Sequence, residues 1–445
     1  MRPFLPLLLA TALLLPACSD SYPVSPYSYS SGYNTYDLRD RVVGDPYAVR
    51  AEFDAALNLG KVDSNGWGWT LEGALKAGNK ELFNYVYGQR VRVPGSDIKA
   101  IRGSLLAAAA AYKDASMLDW LLHDPAWKDV GFDLNAPAFE STGYAYGCAT
   151  GCTTYFRPDP ENQGFTTVLM QAVDEANPVT LDYLLAQGAR LETLDADHAN
   201  ALNYAVIAGR KDLVDYFVAK GLSLNPTQAF PPLLTAAGSY RTEMAGYLLD
   251  KGAHPGAQVE DIRMDWSGES GLKASALTYA LDNLYSDSSL ELLRILLSKG
   301  VTPDKSEHAA ALHHLFESHT LDDDYGVRAL ELMQPYKPDY NLKDAQGRTA
   351  VMKYLAYGAS NAAKVLPLLK AARANFSAAD NKGKTLLMYA AEGGSLPAVQ
   401  FLVSHGLGSE LGKKDDTGLS ARQYANDLDV LRYLESIPRL DIQPS

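Results

Sequence analysis

The stretch Asp380-Asn381-Lys382-Gly383-Lys384-Thr385-Leu386-Leu387-Met388 decides the fold of this 445-residue chain, because the same pattern recurs on both sides of it. An earlier copy spans 344–352, and a more divergent copy begins at Asp415. The hydroxyl residue of the central copy lies 36 residues after that of the first copy and 35 residues before that of the third. A period of this length predicts a solenoid, in which stacked supersecondary units build one continuous core.

Each copy continues into an alanine-rich stretch and then into an aliphatic run that usually contains an aromatic residue. Asp with Gly three residues later predicts a tight turn, because Asp bonds to nearby backbone and Gly accepts φ > 0. The following Thr or Ser predicts a helix N-cap, and the run has the spacing of an amphipathic second helix. A Gly after the run predicts the end of that helix. The runs are 181–185 with Gly188, 213–218 with Gly221, 244–249 with Gly252, 292–297 with Gly300 and 398–403 with Gly406.

The turn, the helix pair and the period together resemble the ankyrin repeat, whose unit is about 33 residues long. This resemblance implies an all-α ankyrin-repeat solenoid of about ten helix-turn-helix units over residues 46–438, with loop insertions. The chain departs from the family pattern in that Pro follows the anchoring Thr position only at Pro232, and Met often replaces the family's structural His, which survives at His313. The expected anchors lie near Trp69, Ser104, Thr167, Asn200, Pro231, Ser275, Ala310, Thr349, Thr385 and Ser420.

Residues 1–17 resemble the signal peptide of a bacterial lipoprotein. Arg2 precedes an apolar run at 4–15, which is too short to span a bilayer that takes about 20 apolar residues. Ala17 then precedes Cys18, and in lipoproteins of this kind that cysteine is lipidated and becomes the new N-terminus. An ordinary signal peptide with a chance cysteine is the alternative.

A lipid on Cys18 would anchor the mature chain to a membrane. Ser19 after the cysteine favours the periplasmic face of the outer membrane, so we expect a cell-envelope location. Residues 18–45 are rich in Ser, Tyr and Pro and lack the aliphatic residues that build a core, which predicts a lipidated tether. The repeat array follows at 46–438, and residues 439–445 form a C-terminal tail.

The spacing of the anchors indicates an insertion near 132–163, because Ser104 and Thr167 lie 63 residues apart. The insertion contains Cys148 and Cys152. With Cys18 lipidated, these are the two remaining cysteines, and an oxidising compartment favours a disulfide between them. A metal pair or a redox pair are the alternatives, although no His lies nearby and redox pairs usually have the Cys-x-x-Cys spacing.

Two further insertions are expected near 253–272 and 320–326, and insertions in repeat proteins often lie on the binding face. Trp266 stands among carboxylates in the first of them, and aromatic residues dominate interface energetics. Local packing for the tryptophans and a merely solvated loop for the acidic residues are the alternatives. The candidate partner-binding residues are Trp67, Trp69, Tyr144, Tyr146, Asp265 and Trp266.

Net charge and the lack of catalytic motifs reduce the number of function classes that fit the sequence. The formal net charge is −13, so the chain as a whole has no electrostatic footprint for nucleic acid. Nucleophile-elbow, metalloprotease and phosphate-loop patterns do not occur in the sequence. Four of the eight histidines lie between 308 and 319, but two of them fall on another helix face. We therefore predict no catalytic residue, no metal site and no cofactor.

Two functions remain open. The first is a monomeric, non-enzymatic interaction protein that binds a protein partner through the concave face that ankyrin domains offer. That partner would be a secreted toxin, which the protein neutralises as an immunity factor, or an envelope factor that it tethers. Acidic loops would steer a basic partner toward it. The alternative is an envelope enzyme or glycan-binding protein with a site in the insertion loops.

Overall fold

The computed structural model describes residues 46–135, 166–173, 177–195, 198–260, 273–282, 284, 286–304, 306–317, 321 and 324–437. Within these ranges there are 21 α-helices and one two-stranded sheet. The helices are α1 (Pro46–Asn58), α2 (Ser64–Lys76), α3 (Lys80–Gly88), α4 (Arg102–Ala110), α5 (Ser116–His123), α6 (Val168–Ala172), α7 (Pro178–Ala186), α8 (Ala201–Ile207), α9 (Lys211–Ala219), α10 (Pro232–Gly238), α11 (Thr242–Asp250), α12 (Ala276–Asp282), α13 (Asp287–Ser298), α14 (Ala309–Glu317), α15 (Asp324–Met333), α16 (Ala350–Ala356), α17 (Ala362–Ala371), α18 (Leu386–Glu392), α19 (Leu396–Ser404), α20 (Ala421–Tyr424) and α21 (Leu428–Ser436). The strands are β1 (Gln258–Glu260) and β2 (Lys273–Ser275).

From α2 onward the helices form pairs that stack in two layers. The first helices of the pairs, α2 to α20 in steps of two, each contact the first helix of the next pair. The second helices contact one another in the same way from α11 to α21. The described residues thus contain ten helix pairs after α1. The predicted all-α solenoid of about ten units is confirmed.

Small residues let the first helices approach one another closely. Ala236 and Ala237 in α10 and Ala390 and Ala391 in α18 are all 0% exposed. Leucines of the second helices fill the space between the layers, and each buried leucine side chain contributes about 1.5–3 kcal/mol. Because the packing is continuous from unit to unit, a larger side chain at an alanine such as Ala390 would overpack it, at a cost of about 1–3 kcal/mol.

The second helices end as the glycines predicted. Gly188, Gly221, Gly252, Gly300 and Gly406 all have positive φ, between 92° and 111°. Such a left-handed residue ends a helix by letting its N–H bond back to the last turn. After helices α15 and α17 the equivalent positions are Lys337 (φ 53°) and Arg373 (φ 64°). A side chain makes this left-handed conformation less favourable than it is for glycine.

Helix α1 covers one end of the stack. Tyr85 in α3 donates its hydroxyl to Asp54 Oδ1 in α1 at 2.5 Å, and Arg50 in α1 lies over the Tyr85 ring at 3.8 Å. At the other end, α21 buries Val430 and Leu434 and leaves Leu428 68% exposed. The charged side chains of Asp429 and Arg432 in the same helix are also exposed, and terminal repeats need such polar residues for solubility.

The expected helix starts are correct in most units and shifted in the first two. Helix α2 begins at Ser64, five residues before Trp69, because Asp63 Oδ1 accepts the N–H of Gly66 at 2.8 Å and caps the helix there. Helix α4 begins at Arg102, two residues before Ser104. The expected insertion at 320–326 also differs from the structure, since α15 already begins at Asp324.

Strands β1 and β2 pair antiparallel, with Val259 opposite Ala274. They flank residues 261–272 of the expected insertion at 253–272, and their pairing is a feature that the sequence did not predict. Among the described helices none combines the length and the apolar character needed to cross a membrane.

Candidate interaction surface

Each of the three best-preserved repeat copies begins with a tight hairpin turn. In the central one, Asp380 Oδ1 accepts the N–H groups of Lys382 and Lys384, both at 2.9 Å. Gly383 has φ 75°, which a side chain would make unfavourable. The turn predicted from Asp-x-x-Gly is therefore confirmed. We call these turns the fingers, and they span residues 341–349, 377–385 and 413–420.

A tyrosine on the following helix holds the second carboxylate oxygen of the finger. Tyr389 donates its hydroxyl to Asp380 Oδ2 at 2.8 Å, and Tyr424 donates to Asp415 Oδ2 at 2.5 Å. The Tyr424 hydroxyl lowers the pKa of Asp415 to about 2. The sequence analysis missed this contact, although the signal is an Asp followed by Tyr nine residues later, which also occurs in Asp195 and Tyr204 (2.8 Å).

The finger at Asp344 is held by charge instead. Lys353 stands nine residues after Asp344, and its ammonium lies 3.5 Å from Asp344 Oδ2. Arg348 Nε donates to the same oxygen at 2.8 Å. The Lys353 side chain is 2% exposed and that of Asp344 is 0% exposed. Loss of the carboxylate would leave the lysine charge buried, and such changes are strongly destabilising.

The anchoring threonines cap the first helices as predicted. Thr385 Oγ1 accepts the N–H of Met388, and in return the N–H of Thr385 points at Met388 Sδ at 3.4 Å. Thr349 with Met352 repeats this arrangement. A thioether is a weak acceptor, but it satisfies the same group that Gln423 Oε1 satisfies for Ser420 at 2.9 Å. This explains why Met can replace the family's His after the anchor.

The surviving histidine links one unit to the next. His313 Nε2 lies 3.1 Å from the carbonyl oxygen of Leu342 in the first finger, so this nitrogen carries the proton and donates it. Burial and, to a smaller extent, the nearby charge of Lys353 together lower the pKa of His313 to about 3. Asn203 serves the same purpose in an earlier unit, where Nδ2 donates to the carbonyl oxygen of Phe230 at 2.9 Å.

Neighbouring fingers are joined by hydrogen bonds of their backbones. The N–H of Asn381 donates to Gln346 O at 3.0 Å, and the N–H of Asp416 donates to Lys382 O at 2.9 Å. Lys343 adds a bond from Nζ to Ala379 O at 3.0 Å. Because backbone bonds fix the fingers relative to one another, the three fingers form one ordered row, which we call the finger row.

The second helices carry a different contact between units. Tyr216 donates its hydroxyl to Asp182 Oδ1 at 2.8 Å, and Tyr183 donates to Asp119 Oδ1 at 2.8 Å. Lys220 also pairs with Asp182, at 2.6 Å. These half-buried tyrosines join second helices, in agreement with their expected packing role.

Of the sequence-predicted partner residues, Trp67 and Trp69 lie in the described part of the chain. Trp67 is 1% exposed and donates Nε1–H to Val86 O at 3.0 Å, so it fills the space between α2 and α3 and offers no surface to a partner. This is the local packing that the sequence left open as the alternative. Trp69 is partly exposed on α2.

The remaining predicted site residues lie outside the described residues: Cys18, Tyr144, Tyr146, Cys148, Cys152, Asp265 and Trp266. The lipidation and the disulfide stay predictions. In the histidine-rich segment, His308 Nδ1 lies 2.8 Å from Ser275 Oγ and His313 is bonded as described above. Among the described residues there is no group of His, Cys, Asp and Glu arranged to hold a metal ion.

Two segments, residues 169–259 and 321–415, match the family model described as ankyrin repeats (3 copies). These two segments contain ankyrin repeats. The matched segments include the fingers at 341–349 and 377–385, so the turn, the cap and the helix pair described above form the ankyrin unit. Ankyrin repeats generally mediate protein–protein interaction. No curated protein matches the sequence significantly.

Solved structures of other ankyrin repeat domains resemble this chain. The ankyrin repeat domain of Bcl-3, described as a unique member of the IkappaB protein family, is 23% identical, with a TM-score of 0.39 over 53% of this chain and 97% of that one. The human ASB11 ankyrin repeat domain is 17% identical, with a TM-score of 0.36 over 63% of this chain and 100% of that one.

Proposed function

We propose that this protein is a non-enzymatic interaction module, held at the bacterial cell envelope by a lipid on Cys18, that binds a protein partner through its finger row and the adjoining faces of its first helices. The backbone bonding between neighbouring fingers is the observation that supports this most strongly. A surface whose backbone is already fixed in position loses little backbone conformational entropy when a partner binds.

Exposed aromatic residues at the far ends of the first helices extend the proposed surface. Tyr357, just after α16, is 59% exposed, and Tyr240, after α10, is 41% exposed with φ 53°. A large side chain in this conformation at the surface is unusual, since glycine fills the equivalent position at Gly209. Tyrosines supply much contact area at a low entropic cost.

The test of partner binding is site-specific photo-cross-linking in intact cells. A photoreactive amino acid at position 382 in the finger row or at 357 should capture a protein, whereas the same group at Gln400 should not. Gln400 is exposed on the second helix α19 of the same unit, which makes it a matched control. Capture from Gln400 alone, or from none of the three positions, would contradict the proposed surface.

The insertion offers a second control. Removal of residues 141–156 should spare most of the captured partner, because the proposed surface lies on the repeats. Loss of capture on deletion, with the stack still folded by circular dichroism, would move the binding site to the insertion.

The envelope location has its own test. Cys18→Ser should release the protein from the membrane pellet into a soluble fraction, because the lipid is the proposed apolar anchor. If the variant stays in the pellet, the anchor on Cys18 is excluded.

For the partner itself we propose a toxin delivered to the periplasm, which the protein would neutralise. Cells without the protein should then be killed by toxin-producing neighbours, and the Cys18→Ser variant should protect them less than the anchored form. Full survival of the deletion strain against every toxin-producing neighbour tested would favour an envelope factor as the tethered partner.

A further inference from the structure

The last three fingers carry a charge opposite to that of the whole chain. Residues 337–424 contain twelve lysines and arginines against seven aspartates and glutamates, a formal charge of +5, while the chain as a whole has −13. The remaining residues therefore sum to −18. A basic region within an acidic protein is a local field that an average over the sequence conceals.

The geometry of the fingers strengthens this field. The carboxylates of Asp344, Asp380 and Asp415 all point into their own turns, where each accepts two backbone N–H groups and a side-chain donor. Their negative charges are therefore engaged by hydrogen-bond donors within the turn. The same turns carry five lysines, of which four are exposed and Lys384 is mostly buried. Asp416 in the third finger is the exposed carboxylate among them. The five lysines are Lys343, Lys382, Lys384, Lys413 and Lys414.

These five lysines, which we call the basic finger surface, differ in their partners. Lys384 pairs with Glu392 at 2.6 Å and Lys413 with Glu410 at 2.7 Å. Lys343 bonds to a carbonyl oxygen, which leaves its charge uncompensated. Lys382 and Lys414 are exposed and pair with no carboxylate among the described residues.

Two further cations lie at the bases of the fingers. Lys337 and Arg373 are exposed and occupy the left-handed positions that hold glycine after other second helices. Arg373 lies beside the first finger, since its carbonyl oxygen accepts a bond from Asn341 Nδ2 at 3.4 Å. The chain thus places positive charge at these two positions despite the less favourable backbone conformation.

We propose that the basic finger surface binds an acidic segment of a protein partner. The proposal rests on the proposed function and specifies the chemistry of the partner that the finger row binds. A short segment of carboxylates complements this row, in which the charges of Lys343, Lys382 and Lys414 have no carboxylate partner among the described residues. A long polyanion such as nucleic acid would extend over the acidic remainder of the chain and be repelled. The positive charge of the basic finger surface would repel a uniformly basic partner.

The test uses fluorescence anisotropy with the full mature protein and a labelled twelve-residue peptide of alternating Glu and Ala. The triple variant Lys343→Glu, Lys382→Glu, Lys414→Glu should weaken binding of this peptide by at least about tenfold. The matched control Lys61→Glu, Lys99→Glu, Lys128→Glu makes the same change in net charge at exposed lysines of the first units and should alter binding by less than about twofold. Binding by the wild type should weaken as salt rises, since exposed charges are screened.

Three results would overturn the proposal: no binding of the acidic peptide at low salt, equal loss in both triple variants, or tighter binding of a twelve-nucleotide single-stranded DNA than of the peptide. Circular dichroism shows whether each variant is folded. The cross-linking experiment separates this proposal from the proposed function. If the photoreactive residue at position 382 captures a protein equally well in the double variant Lys343→Glu, Lys414→Glu, the binding module stands and the acidic-segment proposal fails.

Discussion

The first two fingers share one backbone turn but hold their aspartate in different ways. Asp380 is bonded by the neutral hydroxyl of Tyr389, whereas Asp344 is flanked by the cations Lys353 and Arg348. Both solutions occupy the same position, nine residues after the aspartate. The comparison shows that the repeat specifies where a hydrogen-bond donor stands, while the donor can be neutral or charged. We expect the finger with the buried charge to depend far more on its aspartate.

The largest expected effect comes from replacing the turn aspartate, which should separate the two fingers. Asp344→Asn should lower the free energy of unfolding by about 3–5 kcal/mol, because it leaves the charge of Lys353 buried without its carboxylate. Asp380→Asn keeps an oxygen for the turn and should cost about 0.5–1.5 kcal/mol. Urea unfolding of the full mature chain, followed by circular dichroism, measures both. Equal losses in the two variants would show that the buried charge adds nothing.

The next effect concerns pH and the histidine that contacts the first finger. The pKa of His313 is lowered to about 3 by burial, so the unfolded chain binds a proton near pH 6.5 that the folded chain does not. Stability from this group is fully present above about pH 6.5 and declines as the pH falls toward 3, by at most about 1.4 kcal/mol per pH unit.

His313→Asn imitates the unit in which Asn203 makes the equivalent bond to the next finger. The variant should therefore show a flatter dependence of stability on pH between about 6.5 and 4.5 than the wild type. Urea unfolding at several pH values provides the measurement. Parallel pH profiles for variant and wild type would mean that His313 is protonated in the folded chain.

A smaller effect should be equal in both fingers. Thr349→Ala and Thr385→Ala each remove a side-chain cap and should each cost about 1 kcal/mol. Equality would confine the difference between the fingers to the side chain nine residues after the aspartate. A much larger loss for Thr349→Ala would instead mean that the cap and the buried ion pair act together.

The smallest effect is expected from making the fingers alike. Lys353→Tyr removes a buried ammonium and supplies a hydroxyl like that of Tyr389, while Arg348 remains beside Asp344. Because Arg348 still pairs with Asp344 and the new hydroxyl can donate to the same carboxylate, no buried charge is left unpaired, and the free energy of unfolding should change by less than about 1 kcal/mol. A loss above about 3 kcal/mol would show that the ammonium is essential for packing.

The fold could be predicted because its determinants are local and repeated. Asp-x-x-Gly, the following Thr and the glycine after the second helix each act through backbone within a few residues, so their spacing alone placed most helices. The first two starts failed where the pattern is weakest: Asp63 caps α2 without the turn residues that mark the later units.

The surface was harder to predict because its properties depend on which way side chains point. Trp67 looked like a partner residue in the sequence, yet its indole fills the space between two helices. The basic finger surface was missed for a different reason, since the formal charge of −13 on the whole chain conceals the charge of +5 on residues 337–424. The structure shows that the aspartates of the turns accept backbone N–H groups, as the turn pattern predicts, and that the neighbouring lysines form one surface across the three fingers.

The tyrosine and aspartate contacts between second helices also give the stack a direction, because the two ends of the contact are different groups. Asp182-Tyr183 and Asp215-Tyr216 are neighbouring dipeptides 33 residues apart, and in each the tyrosine serves the preceding unit while the aspartate serves the following one. Each such unit therefore offers a hydrogen-bond donor to one neighbour and an acceptor to the other. Duplication of 33 residues within this stretch would insert another unit with both groups. A gene could thus lengthen the array in one step without leaving an unmatched carboxylate at the new junction.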